Sequence, residues 1–202
     1  MPAFSSSTVH MKAPDDAISL PVRATVDLAT WAKDAAMRRV AAGAEDDGRL
    51  AEALAQELRL AAEDARTRGP VTALSYVPEP RLGELARVEL SALVADDTYP
   101  TMTVELLERY LAAPTADSFR PPEAEPRTLP VGPAVRVRHA FVQDPGRDGT
   151  GTVLETCAYG IVADDKWGLV LLTSWQQQVY GDALCELTDE LALTVAVSRT
   201  SG

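Results

Sequence analysis

Cysteine is scarce in this chain: Cys157 and Cys185 are the only two in 202 residues, far apart and without the close spacing of metal ligands or of a secreted disulfide framework. They read as two reduced, buried thiols. Aromatic residues make up only 5%, and much of the 46% apolar content is alanine, so the core must be built from aliphatic side chains. No apolar run approaches the ~20 residues that span a bilayer. The start, "MPAFSSSTVHMKAP", has neither a basic nor an apolar leader segment, and the expectation is a cytoplasmic protein. Lysine is confined to Lys12, Lys33 and Lys166, and the net charge is -11, a balance that repels phosphate backbones and anionic membranes. No GxGxxG after a strand, Walker loop, HExxH, CxxC or GxSxG occurs, so no cofactor and no metal is expected, and the balance leans away from an enzyme.

What is present reads as a mixed sequence of strands and helices. A first strand is expected at "AISLPV" (17–22), then a helix at "DLATWAKDAAMRRVAAGA" with Asp27 as N-cap. A second helix follows, with Leu50, Leu54, Leu58, Ala61 and Ala65 in one stripe and Gly69-Pro70 as its stop. Strands are expected at 71–78 and 85–97, and a helix at "TVELLERYLAAP" with Thr103 as N-cap. Residues 114–126, "PTADSFRPPEAEP", hold four prolines and read as a stiff extended linker. Beyond it come "AVRVRHAFVQ", "TVLETCAYGIV" and the nearly continuous apolar "WGLVLLTSW", then a helix over "DALCELTDELALTVAV", whose end is also β-rich. Residues 1–14 read as a disordered tail and 15–202 as a single α/β domain with the proline-rich stretch inside it.

Two stretches raise questions of chemistry. "DPGRDGTGTVLE" (144–155) places Asp144, Asp148, Gly149 and Glu155 at positions of a calcium loop, but Gly146 stands where a carboxylate is needed and both flanks alternate as strands. It reads as a hairpin tip. If that hairpin pairs Gln143 with Thr152, Val135, Val137, His139 and Phe141 share an apolar face with Leu154, Thr156, Ala158 and Gly160. Arg136 and Arg138 then fall on the other face with Glu155, Cys157 and Tyr159. Arg136, Arg138, Glu155 and Tyr159 could grip an anionic ligand or a partner through charge-assisted hydrogen bonds; alternatively Arg138 pairs with Glu155 and Arg136 lies over Tyr159. The same register separates His139 from Cys157 and argues against a Cys-His nucleophile. Asp96-Asp97, Asp164-Asp165 and Asp189-Glu190 read as turn or solvent-facing carboxylates, and Trp167 and Trp175 as seals at the ends of a buried strand.

From "TLPVGPAVRVRH" (128–139) through "AYGIVADDKWGLVLLTS" and the closing helix, the chain resembles uncharacterised proteins of high-GC actinobacteria, in which a similar Pro-Gly-Pro strand precedes two more strands and a helix. Over residues 85–198 it is similar to the Mog1/PsbP-like fold. That resemblance implies an α+β class, a twisted, mainly antiparallel sheet of about six strands with helices packed on both faces. It implies a binding or accessory role and transfers no functional residue. The function expected is a non-enzymatic protein-interaction module with a protein partner, a basic one being compatible with the acidic charge, and with neither nucleic acid nor membrane as ligand.

Overall fold

A computed structural model describes residues 7–41, 48–115, 117–143 and 151–199. The class is α+β, with nine strands and four α-helices among the described residues. The chain divides into two compact units, Ala13–Ser91 and Met1–Lys12 with Ala92–Gly202. The division falls inside a strand, not in the proline-rich stretch.

In the unit Ala13–Ser91, β2 (Ala17–Ser19) pairs antiparallel with β3 (Thr72–Tyr76), which pairs antiparallel with β4 (Ala86–Val94). Between β2 and β3 run α1 (Leu28–Ala41) and α2 (Gly48–Arg68). Helix α1 starts where the Asp27 carboxylate accepts the Thr30 N–H at 2.8 Å; the Thr30 side chain first, and then this N–H, hold the Asp27 carboxyl below its usual range. Helix α2 stops where Gly69, at φ 67°, turns its N–H back to the Ala65 carbonyl. The expected stripe is the buried one: Leu54, Leu58, Ala61 and Ala65 pack with Ala32, Ala35, Ala36 and Val40 of α1. So many alanines let the two helix backbones approach closely.

The other unit is built on an antiparallel meander in the order β8-β7-β6-β5: β5 (Ser118–Leu129), β6 (Gly132–Gln143), β7 (Thr152–Val162) and β8 (Trp167–Trp175). Helix α3 (Val104–Leu111) covers one face, with Leu107 against Val135 and Val137, and Thr103 caps it as expected. Helix α4 (Gly181–Thr194) covers the other. Strand β8 is buried along most of its length, with Trp167 and Trp175 closing its ends.

Three strands depart from the sequence reading. Residues 118–129 form the edge strand β5, not a linker; an extended, proline-rich segment is compatible with an edge, where alternate residues turn their backbone away from the sheet. The expected disordered tail contains β1 (Ser7–His10), which pairs antiparallel with β9 (Ala196–Arg199), so His10 lies opposite Ala196. The last helix yields to that strand after Thr194, as its β-rich end allowed. Residues 144–150 of the candidate calcium loop lie outside the described residues; the elements on either side are strands β6 and β7, not the helices such a loop requires. No described helix is long and apolar enough to cross a membrane.

Candidate functional site

The β6–β7 ladder has the expected register, Gln143 opposite Thr152, Arg138 opposite Cys157 and Arg136 opposite Tyr159. Because successive side chains alternate, Val135 and Val137 face α3, and His139 points away from Cys157. His139 finds Ser118 of β5 instead, Nε2 to Oγ 2.9 Å, and burial lowers its pKa below 6.5.

On the opposite face the structure brings Arg136, Arg138, Glu155 and Tyr159 together beneath α4. The helix contributes Asp182, Cys185 and Asp189, at the i, i+3, i+7 spacing that keeps residues on one side. Arg136 Nε donates to Asp189 Oδ1 at 2.7 Å, and the Tyr159 hydroxyl donates to the same oxygen at 2.8 Å. Arg138 donates through Nε to Glu155 at 2.8 Å and through Nη1 to Asp182 at 2.8 Å. Arg120, on β5, reaches the same Glu155 oxygen. Of the two sequence alternatives, the Arg138–Glu155 pair is formed, whereas Arg136 and Tyr159 share Asp189 as acceptor.

This network sets the ionisation of its members. Burial alone would lower the pKa of Arg136 and of Arg138, but the carboxylates of Asp189, Asp182 and Glu155 outweigh it and push both up. Burial first, and then the carboxylate of Asp189, hold the Tyr159 phenol protonated above its ordinary value. The neighbouring Cys185 raises the pKa of the Cys157 thiol, with burial adding to the shift, while Cys157 lowers that of Cys185 and burial opposes it. Both sulfurs are buried, as the sequence suggested.

Four members of this cluster were not singled out from the sequence as site residues. Asp189 was read with Glu190 as solvent-facing, yet it points at the sheet, because the helix face that carries Leu184, Cys185 and Thr188 carries it too. Asp182 and Cys185 share that face, and the spacing from 182 to 189 was the available signal. Arg120 was hidden in the supposed linker.

A separate groove of about 910 Å³ lies between α1 and α2, lined by Lys33, Met37, Val40, Ala51, Ala55 and Arg59 among others. Among the described residues, no group of three or more His, Cys, Asp or Glu is placed to hold a metal ion.

No family model matches the chain, and no curated protein matches it in sequence. Among solved structures it is similar to LpqN, described as involved in cell envelope biogenesis of Mycobacterium tuberculosis, at TM-score 0.52 and 11% identity over 96% of this chain and 84% of that one. The likeness is one of fold. The solution structure of the cyanobacterial PsbP (CyanoP) of Synechocystis sp. PCC 6803 aligns over 97% of this chain and 95% of that one at TM-score 0.44 and 10% identity.

Proposed function

We propose that the chain is a non-enzymatic accessory module of a bacterial cytoplasm that binds a basic protein partner through the acidic outer side of α4. The observation that carries this reading is how the unit's cations are used. Arg120, Arg136 and Arg138 are bonded to Glu155, Asp189 and Asp182, and Arg127 pairs with Glu125. Residues 1–12 and 92–202 hold 16 acidic and 9 basic side chains, so the surplus of carboxylate is left for the surface. Asp182, Glu186 and Glu190 are spaced four apart; Glu186 and Glu190 are exposed, and the Asp182 side chain is 90% exposed although it also holds Arg138. An acidic stripe of that kind steers a cationic surface toward it and loses its reach as salt shortens the screening length to about 8 Å at physiological strength.

The test is affinity capture from lysate of the source organism at low and moderate salt, with wild type beside a Glu186→Lys/Glu190→Lys variant. One stoichiometric partner, weakened by salt and lost with the variant, supports the reading. Return of the protein alone at low salt overturns it. The anionic-ligand reading of Arg136, Arg138, Glu155 and Tyr159 would then be the one to pursue, by thermal shift with inorganic phosphate and small carboxylates.

A further inference from the structure

The groove between α1 and α2 has a direction. Near the end of α2, Arg66 donates to the carbonyls of Pro21 at 3.0 Å, Ala24 at 2.7 Å and Val26 at 3.2 Å, all in the stretch that leads into α1. The two helices therefore run antiparallel. Arg59 lies seven residues before Arg66 and Lys33 seven residues after Val26, so at about 1.5 Å per residue the two cations stand level on opposite walls. Beyond them the walls turn apolar, with Met37 and Val40 on α1 and Ala51 and Ala55 on α2, over about 10 Å. Val40 and Ala55 are buried and form the floor, whereas Met37 is 54% exposed on the rim. Glu52 also lines the groove, and the same count from Arg66 and Val26 sets it beside Val40, away from the two cations.

We propose that this groove binds a small amphiphilic anion, its carboxylate between Lys33 and Arg59 and its apolar chain along Met37, Val40, Ala51 and Ala55. The charges reverse the trend of the chain: its net charge is -11, yet this part of the groove presents two cations. Arg59 is held by Glu63 at 2.6 Å, but the two side chains are 41% and 45% exposed, and so exposed a pair contributes little and can exchange its carboxylate for that of a ligand. Lys33 is exposed and adds a compact point charge beside the planar guanidinium. Glu52 repels an anionic head placed at the far end, so the orientation is fixed. The volume of about 910 Å³ is that of a small-molecule site, and the small side chains of Ala51 and Ala55 are what leave it open. Burial of the chain supplies most of the affinity, and the cations select the sign of the head group. The site belongs to the unit Ala13–Ser91 and does not depend on the reading of α4.

The experiment is calorimetric titration of the whole chain with decanoate, whose chain is about as long as the apolar stretch, beside decyltrimethylammonium. Non-specific adsorption to so acidic a protein would favour the cation; the groove predicts the opposite order, with decanoate saturating at one molecule per chain and binding at least about tenfold more tightly. Lys33→Glu should weaken decanoate at least about tenfold and tighten decyltrimethylammonium, and Met37→Glu should weaken decanoate by a similar factor. Both positions are exposed, so far-UV circular dichroism should match the wild type. No saturable heat up to about 1 mM decanoate, binding of the cation as tight as that of the anion, or a decanoate affinity that survives both substitutions would each overturn the proposal. Should either variant lose its helical signal, the order of the two head groups on the wild type decides alone.

Discussion

Glu155 is the residue on which most of the cluster leans. Its side chain is 5% exposed and it accepts from both Arg138 and Arg120, so replacing it takes the carboxylate from Arg120 and leaves Arg138 with Asp182 alone. Glu155→Gln should destabilise the protein by about 1–2 kcal/mol, the range of a charge-assisted hydrogen bond weakened to a neutral one where one arginine is partly exposed and the other keeps a second carboxylate. A shift of the urea midpoint at unchanged slope checks this. His139 makes a second prediction, with the opposite relation to acid from a paired cation. Its folded pKa lies below its unfolded one, so in acid the unfolded chain takes up a proton that the folded chain refuses. Stability should therefore fall as pH drops through 6.5, and His139→Gln should flatten that slope in unfolding curves recorded between neutral and mildly acidic pH. The cross-strand partners of Arg136 and Arg138 were legible in the sequence because a short hairpin with clean alternation admits one register. Asp182 and Asp189 were not, since their partners are 30 to 53 residues away and a helical stripe does not say which sheet it will meet.

At the scale of elements, the packing of α3 on β7 depends on Gly160. A Cβ there would lie 2.8 Å from Leu107 Cβ and 3.0 Å from Leu111 Cδ1, so the helix would have to move outward. Gly160→Ala should destabilise by about 1–3 kcal/mol, the usual cost of overpacking, with faster hydrogen exchange in α3 than in α1 as its local signature. The long, strongly patterned elements, α2, α3, β6, β7 and β8, were readable from periodicity and caps. Strand β5 was not, because its prolines argue for any extended conformation and say nothing of an adjoining ladder. Strands β1 and β9 are four residues each and carry too few side chains for a period to show.

For the molecule as a whole, charge is the property most open to a simple test. With a pI near 4.6, turbidity should pass through a maximum as pH approaches that value, and added salt should reduce it if attraction between chains is electrostatic. The acidic balance was plain in the composition; its division into internally paired arginines and an acidic helix face emerged only with the three-dimensional contacts.

The β1–β9 ladder sets Ser7 against Arg199, and the whole unit Ala13–Ser91 is spelled out between β1 and the remainder of its own unit. During synthesis β1 therefore leaves the ribosome well before its partner, with residues 11–195 made between them. At a translation rate of about 5–20 residues per second, the strand waits roughly ten seconds or more for its match. Until then it is a short unpaired edge, and a chaperone that shields it for that interval would act on the nascent chain and leave no trace in the finished protein.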